Sequence, residues 1–142
     1  MKRIQKTNEE WKKQLDSNTY HITREAGTEA AFTGKYWNEH SKGVYKCSNC
    51  GLELFSSDTK FDSGTGWPSF TEAVNREHID LKEDKSHGMS RVEVLCKRCG
   101  AHLGHVFDDL SAEVKTKAGG PHCRRFCINS ASIELKKEPG ES

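Results

Sequence analysis

Three residues near the C-terminus, Arg125, Cys127 and Asn129, alternate along Arg125-Phe126-Cys127-Ile128-Asn129. Read as a β-strand, the stretch has a period of two, so these three share one face while Phe126 and Ile128 take the other. A thiol would then sit between a guanidinium and an amide, and the cation favours the thiolate, the form in which cysteine is nucleophilic. The alternative is a core strand in which Cys127 is a small buried hydrophobe, as most free cysteines are. Four more cysteines form two pairs, Cys47-Ser48-Asn49-Cys50 and Cys96-Lys97-Arg98-Cys99, each followed by a glycine, Gly51 and Gly100. A two-residue spacer lets one tight turn present both sulfurs to a metal, and two such pairs supply the four thiolates of a closed, tetrahedral structural zinc site. A single pair would equally suit a redox dithiol. Two matched pairs point to zinc as scaffold, tying distant parts of the chain together and leaving no open position for metal chemistry.

Between the pairs lies Phe61-Asp62-Ser63-Gly64-Thr65-Gly66-Trp67-Pro68-Ser69-Phe70. Its glycines permit unusual backbone angles and Pro68 stiffens the exit. Trp67 is either a core residue on an ordinary turn or an aromatic wall for a small apolar group such as a methyl. After the second pair comes Ala101-His102-Leu103-Gly104-His105-Val106-Phe107. With the metal already satisfied by four thiolates, His102 and His105 are candidate proton donors, since imidazole changes charge near neutral pH.

The elements that must position these groups are short. Thr7-Asn8-Glu9-Glu10 forms a capping box, with Trp11 and Leu15 four apart on one face, which predicts a short helix stopped near Ser17-Asn18. Thr23 to Gly27 reads as one more helical turn, and Ala30 to His40 as a packed loop. From Gly43 onward strand-like runs alternate with turn residues: Val44–Lys46, Leu52–Phe55, Ile79–Lys82, Arg91–Leu95, His102–Phe107 and Phe126–Leu135. The expectation is a mainly β protein: a flexible N-terminus over 1–6, one domain over 7–135 and a flexible tail over 136–142.

The 142 residues suit one domain, with 33% hydrophobic and 30% charged residues and a mean hydropathy of −0.84. Lys+Arg number 22 against 21 Asp+Glu, interleaved, for a formal net charge of +1. There is no basic stripe for nucleic acid and no apolar run for a membrane. A cytoplasmic protein is expected, whose cysteines serve metal or redox chemistry in preference to structural disulfides.

From about Trp11 to Leu135 these motifs, in this order, resemble the B-type methionine sulfoxide reductases. The resemblance is carried by Gly64-Thr65-Gly66-Trp67-Pro68-Ser69-Phe70, Ser86-His87-Gly88-Met89, the two cysteine pairs, His102 to Phe107 and Arg125 to Ala131. It implies two antiparallel three-stranded sheets with short N-terminal helices, structural zinc far from the reactive thiol, and the R epimer at sulfur as substrate. It further implies that Cys127 is the nucleophile, that Trp67 receives the substrate methyl, and that His102 with His105 surrounds the sulfoxide oxygen. Arg125, Asn129 and Asp109 match further site positions. The implied partners are oxidised proteins or peptides and thioredoxin or a similar thiol reductant, acting on a monomer in protein repair under oxidative stress. Many relatives carry a second, resolving cysteine where this chain has Thr65, so Cys123 is the remaining candidate for that step. In an extended strand Cys123 and Cys127 are about 13 Å apart, beyond the ~7 Å a disulfide tolerates, so Cys123 would have to fold back; direct reduction of Cys127 by an external thiol is the other route. A zinc-supported binding module that reads a ligand through Trp67 without turnover would explain the metal cysteines and the tryptophan, but not Cys127, Arg125 and the histidines.

Overall fold

The computed structural model of the protein describes residues 2–61, 64–84, 91–108 and 124–137. Thr7 accepts the Glu10 amide through its hydroxyl while the Glu10 carboxylate accepts the Thr7 amide, and this capping box opens α1 (Asn8–Gln14). Trp11 is thereby buried, beneath the guanidinium of Arg24 at 4.6 Å. The helix stops earlier than the sequence reading placed it. Asp16 accepts the Thr19 amide at 2.7 Å, so Ser17-Asn18 begins a second helix, α2 (Ser17–Arg24), in place of ending the first. The expected turn over Thr23–Gly27 is the end of α2 and its exit, where Ala26 takes a left-handed conformation. Residues 30–40 form the expected packed loop: Tyr36 is buried and its hydroxyl accepts the Leu135 amide at 3.0 Å.

Two antiparallel sheets follow. The smaller has the order β2 (Glu53–Ser56), β1 (Gly43–Cys47), β9 (Ile133–Lys137). The larger has six strands, not three, in the order β3 (Lys60–Phe61), β4 (Ser69–Phe70), β8 (Arg124–Ile128), β7 (His102–Asp108), β6 (Arg91–Cys96), β5 (Ile79–Asp84). The additional strands include the two-residue pieces β3 and β4, too short to show any alternation in sequence, with β4 at the exit of the glycine-tryptophan loop. The expected single strand from Phe126 to Leu135 is two strands. A one-turn helix over Ser130–Ser132 breaks it, sending β8 into the large sheet and β9 into the small one. Because β9 pairs Lys136 with Val44 and Lys137 with Gly43, sheet structure runs two residues past the expected boundary at Leu135. At the other end, residues 2–6, expected to be flexible, include Ile4, whose amide donates to the Arg98 carbonyl at 2.6 Å.

The core fills the space between the sheets. Phe55 from β2 stacks on Phe70 from β4 with ring centroids 4.6 Å apart, and Tyr45 and Phe126 close around them at 5.2 and 5.7 Å. Phe70, Val94, Val106, Phe126 and Ile128 give the large sheet its buried face. The period of two then leaves their sequence neighbours on the opposite face.

Candidate active site

That opposite face carries the chemistry. Cys127 on β8 lies directly across from His105 on β7 and from Ser69 on β4; Arg125 lies across from Phe107, and Glu93 on β6 across from His105. His102 would fall on the core face if β7 were regular, because three residues is an odd number of steps. The pairing of β6 and β7 slips between Val94 and Leu95, which face Gly104 and His102, leaving Leu103 as an extra residue. This bulge turns His102 back beside His105, with ring centroids 5.5 Å apart. Gly104 is needed next to it: a Cβ there would lie 2.0 Å from the Cys127 carbonyl oxygen.

Cys127, Arg125, Asn129, His105 and Trp67 line one cavity of about 320 Å³, together with Thr28, Thr65, Arg91, Gly104 and Phe107. The Arg125 guanidinium donates to Cys127 Sγ at 2.8 Å and rests over the Phe107 ring at 4.6 Å. The hydroxyls of Thr65 and Ser69 each lie 3.7 Å from Sγ. Trp67 is half-buried, not a core residue, and its indole N–H donates to the Glu29 carbonyl at 3.0 Å. The Glu29 amide donates to Asn129 Oδ1 at 3.1 Å, and the Glu29 carboxylate accepts the Ala131 amide at 3.1 Å. One residue just before the packed loop therefore fixes two walls of the cavity and the turn that follows Cys127.

His105 and His102 are not equivalent. His105 reaches the cavity, and its Nε2 pairs with Asp84 Oδ2 at 2.9 Å, an oxygen also held by Arg91 at 3.3 Å. His102 does not line the cavity and is only 4% exposed, so it packs beside His105 with less access to the cavity. Its Nδ1 meets Glu93 Oε2 at 2.6 Å, while Nε2 has no hydrogen-bond partner among the described residues. Burial lowers the pKa of this imidazole from its ordinary value, against the opposing pull of Glu93. Arg91 and Glu93 were legible as same-face residues of a strand, but not as partners of histidines. Glu29 carried no signal at all, since its contacts are made from an irregular loop. Asp109, Cys123 and the Ser86-His87-Gly88-Met89 motif lie outside the described residues.

The four paired cysteines meet in a second place. Cys47, Cys50, Cys96 and Cys99 have their sulfurs within 4.8 Å of one another, with Cys47 to Cys99 and Cys50 to Cys96 at 3.6 Å. A tetrahedral metal at ~2.3 Å from each sulfur would set them about 3.8 Å apart, so the set fits a metal ion. The two turns are alike: Gly51 donates its amide to the Cys47 carbonyl and Gly100 to the Cys96 carbonyl, each at 2.8 Å. Both glycines have positive φ, 80° and 78°, which explains the glycine after each pair. The N-terminal helices are fastened to these turns, Gln14 donating to the Asn49 carbonyl at 2.8 Å and Arg24 to that of Cys99 at 3.0 Å. The cluster caps the ends of β1 and β6, and none of its residues lines the Cys127 cavity.

A thiol held by a guanidinium on a β-sheet face, with a separate four-cysteine cluster that fits a metal, suits a redox enzyme, and the comparisons with known proteins show the class. The SelR domain family matches residues 15–137. The chain is 51% identical over 137 residues to a protein of Methanosarcina barkeri named peptide methionine sulfoxide reductase MsrB, covering 96% of this chain and 91% of that one. Proteins of the same name in Acinetobacter baumannii strain ATCC 17978 and Acinetobacter baylyi are 50% and 49% identical over 138 residues, covering 97% of this chain and 94% of theirs. Among solved structures, the Mis18 "Yippee-like" domain aligns with a TM-score of 0.53 at 13% identity, covering 70% of this chain and 99% of its own, a likeness of fold alone. The chain belongs to the SelR-domain family, that of the B-type peptide methionine sulfoxide reductases.

Proposed function

We propose that this protein reduces the R epimer of methionine sulfoxide in peptides and proteins, with Cys127 as nucleophile and zinc in the four-cysteine site as scaffold. The observation that carries the reading is the Arg125 donor 2.8 Å from Cys127 Sγ, set in a cavity of about 320 Å³ walled by Trp67 and reached by His105. The cavity suits a methionine side chain, with its methyl against the indole. Cys127, as thiolate, bonds to the sulfoxide sulfur while His105 gives a proton to the oxygen, without which a poor leaving oxide would have to depart. The oxygen passes to Sγ as the sulfur–sulfur bond breaks. The substrate sulfur gains two electrons and leaves as methionine; the cysteine sulfur loses two and remains as sulfenic acid. A second thiol then condenses with the sulfenic acid, releasing water and leaving a disulfide that a dithiol reductant of thioredoxin type, in the cytoplasm, returns to thiols.

Asp84 and Arg91 hold His105 in place, Asn129 completes the polar side, His102 supports His105 from beside it, and Asp109 is a further candidate through its match to the family's motif. Cys123 is the proposed second thiol. Zinc fits the four-sulfur donor set, and when bound it supplies cross-linking with no open coordination position.

The test is to incubate the metal-loaded protein with dithiothreitol and each epimer of a methionine-sulfoxide peptide. Consumption of the R epimer alone is expected, with none by Cys127→Ser at unchanged melting temperature and zinc content. A folded, metal-loaded wild type that reduces neither epimer, or a Cys127→Ser variant that retains turnover, refutes the proposal. Mass mapping after one equivalent of substrate without reductant should find a Cys123–Cys127 disulfide; a persistent sulfenic acid removes Cys123 from the pathway.

A further inference from the structure

Phe32 is costly twice over. The residue is 56% exposed, the most exposed large hydrophobic among the described residues. Its backbone has φ of 65°, a left-handed conformation that bulky L residues avoid and that glycine or asparagine occupies more readily. Ala26, the other non-glycine residue with positive φ among those described, follows the end of α2, where such a turn is ordinary. No helix ends immediately before Phe32, the nearest, α2, stopping at Arg24. Strain combined with exposure in one residue marks a conformation kept for what it presents.

What it presents packs against the loop that helps to line the Cys127 cavity. The Phe32 amide donates to the Gly66 carbonyl at 2.8 Å, and the ring lies so close over Gly66 that a Cβ there would be 2.7 Å from it. Thr65 and Trp67, on either side of Gly66, both line the cavity. Trp37 meets the ring edge to face at 5.0 Å and fixes its orientation. Four residues upstream, Thr28 lines the same cavity, and Glu29 clamps Trp67 and Asn129. The segment is thus anchored on both sides of the phenyl ring. A cavity of about 320 Å³ houses a sulfoxide side chain and leaves the substrate's backbone and neighbouring residues at the rim.

We propose that Phe32 is a substrate-contacting residue that receives an apolar side chain adjacent in sequence to the oxidised methionine, so that the enzyme favours sulfoxides in apolar contexts. This inference rests on the sulfoxide-reductase reading above. An exposed, pre-oriented ring offers contact area with little conformational entropy left to lose.

The test compares three R-sulfoxide substrates: N-acetyl-methionine sulfoxide amide, a pentapeptide with glycine on both sides of the sulfoxide, and the same pentapeptide with leucine on both sides. Wild type should favour the leucine peptide over the glycine peptide by roughly fivefold to tenfold in kcat/KM, the size expected of one partly buried apolar contact. Phe32→Gly and Phe32→Asn should erase that preference while leaving kcat/KM on the minimal substrate within about twofold of wild type. Both replacements suit the left-handed backbone, so the melting temperature should hold or rise. A structural role predicts the reverse, a fall in melting temperature and parallel losses on all three substrates, and would overturn the inference. So would a wild type indifferent to the flanking residue. A wild type inactive on all three refutes the reductase reading itself, a result distinct from either.

Discussion

Replacing Gly104 with alanine adds one methyl group between β7 and β8 at the point where His105 faces Cys127. The ideal Cβ would lie 2.0 Å from the Cys127 carbonyl oxygen and 3.0 Å from both its carbonyl carbon and Ile128 Cα. Ordinary Cβ contacts begin at 3.4 Å, so the strands must separate by about 1.4 Å. The colliding atoms are all backbone, and no rotamer change relieves them. Overpacking of this kind costs about 3 kcal/mol, a fall of ~10 °C in melting temperature for a domain of this size. The displacement also moves Cys127 away from His105, the proposed nucleophile from its proposed proton donor, and a shift near 1 Å at a reacting centre costs on the order of 10²-fold in turnover. The assay pairs thermal unfolding with kcat/KM on a methionine-R-sulfoxide peptide. Gly51→Ala is the control: that site has positive φ but open space around the missing Cβ, so about 1 kcal/mol of strain is expected there without a comparable loss of turnover. Wild-type melting and turnover in Gly104→Ala would refute the argument from close approach.

With zinc in the four-cysteine site as proposed, Cys50→Ser should lose the metal and the fold together, because a structural zinc contributes ~10–16 kcal/mol, as much as the entire stability of a domain; a stable, metal-free variant in zinc analysis and calorimetry would refute the scaffold. Glu29→Ala removes the acceptor of the Ala131 amide and should cost about 1 kcal/mol of stability and roughly tenfold in kcat/KM, whereas Glu29→Gln, which keeps a carbonyl acceptor, should restore both. Burial lowers the folded-state pKa of His102, so the unfolded chain takes up its proton first and stability falls as pH drops below about 6.5. His102→Gln should flatten the decline in melting temperature of the metal-loaded protein between about pH 7 and about pH 5.5, and an unchanged profile would count against burial as the cause.

Local chemistry with a fixed spacing was readable from the chain. The capping box at Thr7, the two cysteine turns with their glycines, and the alternation of Arg125, Cys127 and Asn129 each depend on neighbours within a few residues. What could not be read depends on the rest of the fold. The shared orientation of His102 and His105 needs the extra residue Leu103, a slip visible only once β6 lies beside β7. The break at Ser130–Ser132 is held by long-range bonds, with Ser132 donating to the His102 carbonyl at 2.9 Å and the Tyr36 amide donating to Ser130 Oγ at 3.1 Å. Ser17-Asn18 suits a helix end as well as a helix start, and the Asp16 carboxylate decides between them. Glu29 works largely through its backbone, to which residue type is almost blind.

The order of strands in the large sheet bears on how the enzyme is born. β8 is the sole link among the described strands between the β3–β4 pair and the β5–β6–β7 meander, and it is followed only by β9, which completes the small sheet. A chain emerging from the ribosome has all four metal cysteines well before residue 124, so zinc can join the two turns while the large sheet is still in two pieces. The thiol, its guanidinium and the two strands that flank them can meet only once β8 is in place. The proposed zinc scaffold can thus form before Cys127 has its neighbours, and a chain halted before β8 would keep the four cysteines while lacking Cys127.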